Sequence, residues 1–322
     1  MAKLTDASKY EILFDLPEGE YNEKSAGGIS TRTVTAGEML EVEAFPITCV
    51  NREARREAQR RKSSHWQEEI NNRNSWKKKN RLLEANFTSA DFIVHPTYAY
   101  GFVNRDFQNT EDLIREWKKQ GIPMDDDEAR KNIVNFINRI RRRIRRKGGD
   151  PAQFKFLYQI ETTCEPAEGD LNPLPPHYHC HMAISSCGVL TIDDINELWH
   201  YGYTNAKRID MRFDGLKGFA KYITKKERAR RKGRSLRWAC SRNMAQPEEK
   251  VSYRKISRRR AAAIAADVQY RGREIFGSLY PGYRVDEVEV RYSEFVAGAY
   301  IYARMRRIRT DEGEKTRRRK GG

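Results

Sequence analysis

A chain of 322 residues has room for one or two packed domains, and its formal charge of +17 points to a polyanion, nucleic acid first, as partner. No run of about 18 apolar residues occurs and no lipidation signal is present, so a membrane partner is not expected; the first residues do not read as a secretory signal, and a cytoplasmic protein is expected. The five cysteines, at 49, 164, 180, 187 and 240, are odd in number and lack a C-x-x-C pair, which argues against both a disulfide framework and a zinc ribbon.

Residues 1 to about 50 hold β-prone pieces, Tyr10–Phe14 and Met39–Phe45, separated by a Gly- and Ser-containing stretch at 25–30, and predict a small accessory sheet or hairpin. From Asn51 to Ala85 the composition turns to Arg, Lys, Glu, Gln and Asn, with basic runs at 60–62 and 77–79. This segment reads as a basic helix whose charges either face solvent or contact DNA. Phe92–Tyr98 is rich in β-branched and aromatic residues and predicts a strand, with Pro96 marking an edge or a bulge. A polar connection follows to about residue 127.

Ile133, Phe136, Ile137, Ile140 and Ile144 then recur at helical spacing among Arg139, Arg141, Arg142, Arg143, Arg145 and Arg146, and Gly148-Gly149 ends the pattern. Phe154–Ile160 predicts a second strand leading into Glu161. A Pro- and Gly-rich turn separates it from a third strand at 177–185, so the two are expected to pair as a hairpin. Thr191 caps a short helix to about His200. The alternation of Ile209, Met211 and Phe213 predicts a half-buried strand over 207–213, and 215 to about 231 is helical. The order from 92 to 213 is thus β-α-β-β-α-β. The expected class is α+β, a ferredoxin-like antiparallel sheet with helices packed against it. Further on, 258–266 reads as a helix, 285–292 as a strand and 315–322 as a basic tail. The expected organisation is an N-terminal accessory segment (1–86), a central domain (87–235) and a C-terminal accessory segment (236–322).

Three of the six histidines fall at alternate positions of one apolar run, His177, His179 and His181. On a strand all three would project from one face, with Tyr178, Cys180 and Met182 turned to a core on the other. Same-face neighbours lie about 6–7 Å apart at Cα, close enough for two imidazoles to converge on one ion. Glu161, at the end of the preceding strand, is the nearest carboxylate. Two imidazoles and a carboxylate leave open coordination positions, which implies catalysis. Imidazole favours the later transition metals and carboxylate or phosphate oxygens suit Mg²⁺ or Mn²⁺, so Mn²⁺ is the compromise, with Zn²⁺ left open.

A second candidate lies in Lys217–Lys226. Leu216, Phe219, Ala220 and Ile223 form the i, i+3, i+4, i+7 stripe of a helix packed on the sheet, and Tyr222 falls off that stripe. Lys225 and Lys226 follow it by three and four residues and can set positive charge beside its hydroxyl or beside a phosphate. A phenol with a pKa near about 10 is a poor nucleophile at neutral pH, and neighbouring positive charges favour its phenolate.

In these blocks the chain resembles the HUH endonucleases, specifically the single-tyrosine rolling-circle replication initiators of plasmids, phages and other mobile elements. Phe92–Tyr98 looks like the first-strand motif, His177–Ile184 like the histidine-hydrophobic-histidine motif, and Lys221–Lys226 like the tyrosine motif with its trailing lysine. The resemblance covers residues 87 to about 245, and 241–247 looks similar to a stretch that follows the tyrosine helix in the bacterial mobile-element branch. The extra histidine departs from the pattern. Pairing His179 with His181 puts Cys180 between them, whereas pairing His177 with His179 restores the bulky Tyr178; the first register is favoured.

The resemblance implies an origin-nicking enzyme that attacks single-stranded or hairpin DNA through Tyr222 and rejoins it through a 5′-phosphotyrosine intermediate, with a divalent metal ion and Lys225 or Lys226 assisting. Arg142, Arg145 and Arg230 are expected to hold the strand's backbone. No Walker-type phosphate loop occurs, so a host helicase, and with it a host polymerase, is the expected partner. A conjugative relaxase or single-tyrosine transposase would share this chemistry, and a non-catalytic nucleic-acid-binding protein would not need Tyr222.

Overall fold

The computed structural model describes residues 14, 16–19, 28–47, 64–100, 110–162, 177–212, 214–225, 238–293 and 297–308. In chain order the elements are β1 (Gly28–Ala36), β2 (Met39–Ile47), α1 (Ser64–Asn86), β3 (Phe92–Tyr98), α2 (Thr110–Lys119), α3 (Asp126–Arg146), β4 (Phe156–Thr162), β5 (Tyr178–Ile184), α4 (Ile192–Leu198), β6 (Gly202–Arg208), α5 (Lys217–Lys225), β7 (Trp238–Cys240), β8 (Glu248–Ser252), α6 (Arg258–Ala266), α7 (Arg273–Leu279), β9 (Tyr283–Arg291) and β10 (Tyr300–Arg307). The fold is α+β, with two five-stranded antiparallel sheets. No helix among the described residues is long and apolar enough to cross a membrane. The expected pieces at 10–13, 226–231 and 315–322 lie outside the described residues, as do 51–63 of the basic segment.

The chain divides into two compact units, one of residues 1–81 with 246–322 and the other of 82–245. The two terminal segments, read from sequence as separate accessories, build one sheet in the order β8-β1-β2-β10-β9. Gly37, with φ +58 at the first position of the two-residue turn between β1 and β2, supplies the backbone that a tight hairpin needs. Strand β2 is buried on both faces. Leu40, Val42 and Ala44 pack with Ile264, Phe276 and Ile301, while Glu41 and Glu43 turn to the opposite side. There Arg81 binds both carboxylates, at 2.6 Å and 2.9 Å, and Lys77 lies 3.7 Å from Glu43 and 4.3 Å from the centroid of the Tyr302 ring. The basic run at 77–79 is therefore not a solvated or DNA-facing surface throughout: Lys77 and Lys79 are buried, and Lys77 balances buried acid.

The second unit carries the sheet β6-β3-β5-β4-β7. One face is apolar. Phe92, Val94, Tyr158, Ile160, Tyr178, Cys180, Met182 and Ile184 form one buried cluster with Ile133, Phe136, Ile137, Ile140 and Ile144 of α3, the stripe that the sequence periodicity predicts. Asp125 caps α3 through the backbone N–H groups of Asp127 and Glu128. The other face packs Leu157 and Ala183 with Leu216, Ala220 and Ile223 of α5 and with Leu82, Leu83 and Phe87 at the end of α1.

Three departures from the sequence reading have local causes. The connection before α3 contains α2, a short helix whose only deeply buried apolar side chains are Leu113 and Trp117, too sparse a stripe to stand out in sequence. The strand expected at 207–213 is instead Gly202–Arg208: Arg208 pairs with Phe92, the first residue of β3, and past it a single bond from the Ile209 N–H to the Asp91 carbonyl closes the ladder. Ile209 and Met211 are buried all the same, packed in the cluster under α5 rather than in a ladder. Pro96 lies on a strand paired on both sides: β3 pairs with β6 throughout, whereas its pairing with β5 lapses between Val94↔Met182 and Thr97↔His179. A proline has no N–H to give the ladder, which accounts for the lapse. Gly202 is needed where β6 meets β3, since a Cβ there would fall 2.3 Å from the carbonyl oxygen of Thr97.

Helix α4 starts on a capping box in which Thr191 and Asp194 bond reciprocally, and the buried Asp194 also takes hydrogen bonds from Arg143 and Lys147. Burial opposes its charge, but the bonds from Lys147, from the Thr191 backbone and from Arg143 outweigh it and hold the carboxyl below the ordinary aspartate range. A carboxylate lowered in the folded state adds stability above its unfolded pKa of about 3.9, and that contribution is lost as the pH falls towards the folded value. Asp194→Ala is expected to cost about 1–3 kcal/mol in urea denaturation at neutral pH, because the Thr191 N–H, Arg143 and Lys147 lose their shared acceptor. The variant should also show a shallower fall of stability below pH 4 than the parent protein; equal acid limbs would mean that Asp194 does not act this way.

Candidate metal centre

The centre is built by the register of β4 against β5. Glu161 pairs with His179 and Gln159 with His181, so the carboxylate lies directly across from one imidazole and diagonal to the other. Because Tyr178, Cys180 and Met182 are committed to the apolar cluster with α3, alternation sends His179 and His181 to the α5 side. The Nε2 atoms of both histidines lie 2.8 Å from the same oxygen, Oε2 of Glu161. One ligand atom from each of the three residues lies within 4.8 Å of the others. Glu161 and His181 are buried and His179 is half-buried.

Burial penalises the Glu161 carboxylate, yet the hydrogen bonds from His179 and His181 prevail and lower its pKa to about 2. It is an anion at neutral pH. Two imidazole nitrogens and one carboxylate oxygen converging from two adjacent strands are a donor set suited to a divalent cation, with coordination positions left over. A buried Glu161-His179-His181 group that could hold a metal ion is what the residues themselves define; they do not single out which ion.

His177 is not part of the group. It precedes the first residue of β5, and its ring stacks on Tyr100 with centroids 4.1 Å apart and planes 15° apart, with Trp117 edge-on at 5.6 Å. The three-histidine face expected from strict alternation is therefore a two-histidine face, because strand geometry starts only at Tyr178 and a nearby aromatic pair captures the residue before it.

The structure brings a different histidine to the centre. His95 of β3 lies with its Nδ1 2.6 Å from Nδ1 of His181, the rings edge-on with centroids 4.8 Å apart. The sequence reading passed over it as part of a hydrophobic strand. Its place was implicit in alternation, which opposes it to Val94 and Tyr98 of the apolar cluster. Burial first, then the neighbouring charges of His181, Lys207 and His179, lowers its pKa to about 4, so it is neutral at neutral pH.

Helix α5 brings Tyr222 to the same place. Its ring meets that of His181 edge-on, centroids 4.8 Å apart, and 41% of the residue remains exposed, whereas Leu216, Ala220 and Ile223 of the same helix are buried. The stripe argument therefore separates the packing residues from the tyrosine correctly. Lys225 is the last residue of α5, while Lys226 and Arg230 lie outside the described residues. Arg142 and Arg145 are exposed on α3, but α3 covers the apolar face of the sheet, opposite the face that carries Glu161, His179 and His181. Of the other arginines there, Arg139 bonds the Leu198 carbonyl, Arg141 lies over Phe156, and Arg143 is held by Asp194 and Glu197.

No family model, no curated protein and no solved structure matches the chain.

Titration with Co²⁺ followed by visible absorption is expected to show one ion bound per chain. His181→Ala should weaken binding by more than the roughly 10–100-fold typical of an outer-sphere loss. His177→Ala should leave the affinity within about twofold of the parent. Equal losses in both variants would return His177 to the ligand set.

Proposed function

We propose that this protein is a single-tyrosine HUH endonuclease that nicks and rejoins single-stranded DNA at a replication origin, as rolling-circle initiators do. The observation that carries the reading is the edge-on contact between Tyr222 and His181, which joins a surface-accessible phenol to the convergent Glu161-His179-His181 group. The strand order β6-β3-β5-β4, with chain order β-α-β-β-α-β once the extra helix α2 is set aside, supports a ferredoxin-like domain, to which β7 adds a further strand.

Glu161, His179 and His181 would hold the divalent ion, Mn²⁺ or Mg²⁺ in the first instance and Zn²⁺ as the third option. Such an ion supplies Lewis-acid polarisation of a phosphate oxygen. The protein's own part is to present the nucleophile. Tyr222 projects from a helix whose apolar stripe is anchored on the sheet, so its hydroxyl is held by packing rather than by a loop. In the cleavage step the phenolic oxygen bonds to phosphorus, the phenol loses its proton, and the bond from phosphorus to the 3′ oxygen breaks; that oxygen takes up a proton to leave as a 3′-hydroxyl. The 5′ end stays on Tyr222. Because one phosphodiester has replaced another, the 3′-hydroxyl can reverse the step without ATP.

The net charge of +17 supports a polyanionic substrate. Arg142 and Arg145 lie behind the sheet from this centre, so a strand contacting them would have to pass round the domain; Lys225 and the basic residues that follow it are closer in sequence to the nucleophile. Duplex unwinding and synthesis fall to a host helicase and polymerase on this reading.

Incubating the protein with labelled hairpin-bearing single-stranded oligonucleotides and Mn²⁺ is expected to yield a covalent adduct that survives denaturing electrophoresis. Tyr222→Phe should abolish it while leaving salt-sensitive DNA binding intact. An undiminished adduct in Tyr222→Phe would move the nucleophile elsewhere, and binding without any adduct across the panel would favour a non-catalytic DNA-binding protein.

A further inference from the structure

We propose that His95 is the positioning residue of this metal centre, the acceptor that fixes the tautomer and ring orientation of His181. The inference rests on the reading of Glu161, His179 and His181 as metal ligands and goes beyond it by assigning the residue behind them.

The registers on either side of the Pro96 lapse, Val94↔Met182 and Thr97↔His179, set His95 opposite His181 on the neighbouring strand. Two imidazoles opposed this way meet nitrogen to nitrogen, and here both facing atoms are Nδ1, 2.6 Å apart. At that separation one of the two nitrogens carries the hydrogen and the other accepts it. On its far side His181 turns Nε2 to Glu161. Nε2 is thus the nitrogen that an ion beside Glu161 would engage, and engagement requires its lone pair. The single proton of a neutral His181 must then sit on Nδ1 and be donated to His95, whose own proton lies on Nε2. Metal-ligating histidines commonly donate their second N–H to a carboxylate or carbonyl; here a second imidazole occupies that place.

His95 also packs edge-on against Phe219, ring centroids 6.5 Å apart, so a merely structural role is the competing account. Two substitutions separate the accounts by their rank order. Phe keeps an aromatic ring beside Phe219 and removes the acceptor, whereas Gln keeps an acceptor and removes the ring. Co²⁺ titration of the full-length protein is expected to show His95→Phe binding the ion about 10–100-fold more weakly and His95→Gln recovering most of the loss. In ¹⁵N spectra of the parent protein with Zn²⁺ bound, the proton of His181 should sit on Nδ1 and that of His95 on Nε2. If the parent binds Co²⁺ and His95→Phe binds it equally well, or if Phe outranks Gln, the role of His95 is overturned with the metal centre intact. If the parent binds no divalent ion, the metal reading falls and His95 falls with it.

Discussion

The antiparallel register between β4 and β5 is the constraint on which the candidate centre depends. It sets Glu161 across from His179 and leaves His181 one pleat further on the same face. A slip of one residue would turn both imidazoles into the apolar cluster and carry Tyr178, Cys180 and Met182 out of it. The register is therefore held by the opposite face, where those three side chains pack with Ile133, Ile140 and Ile144. Core packing on one side of the sheet positions chemistry on the other, and neither face can be rearranged alone.

The chemical side of the sheet is expensive for a protein to maintain. A carboxylate and an imidazole are buried there, and a third ring, His95, is pressed nitrogen to nitrogen against the second. Burial works against the charge of the acid; two convergent hydrogen bonds outweigh it and keep it charged. Ordinary core residues of similar volume would avoid that cost, as Leu157 and Ala183 do on the same face. A cost of this kind concentrated beside an accessible tyrosine is what a functional site leads one to expect. In the other unit a buried set of charges, Glu41 and Glu43 with Arg81 and Lys77, shows the different pattern of oppositely charged partners satisfying one another.

Much of this was legible because local rules and packing agree. The α3 stripe, the Thr191 cap, the β4–β5 hairpin and the exclusion of Tyr222 from the packed face of α5 follow from periodicity and capping alone. What escaped has equally physical reasons. Strand β6 is largely exposed and polar, so its residues carry no alternation, while Ile209 and Met211 alternate without being in a strand. Lys77 and Lys79 read as surface charge because no sequence rule announces Glu43 or a buried acidic row on β2. His177 and His95 exchange the roles that spacing suggests, since strand ends and cross-strand neighbours are tertiary facts: an aromatic pair takes the first and the β3–β5 register delivers the second.

The central claim is that β4 and β5 assemble one divalent-cation site from Glu161, His179 and His181. Its most direct measurement is anomalous diffraction from crystals grown with Mn²⁺. The expected result is a single strong peak at coordination distance from a carboxylate oxygen of Glu161 and from Nε2 of both histidines, with His95 behind His181 and His177 remote from the ion. A peak bound by other residues, or none at saturating Mn²⁺ with the three side chains still hydrogen-bonded to one another, would contradict it.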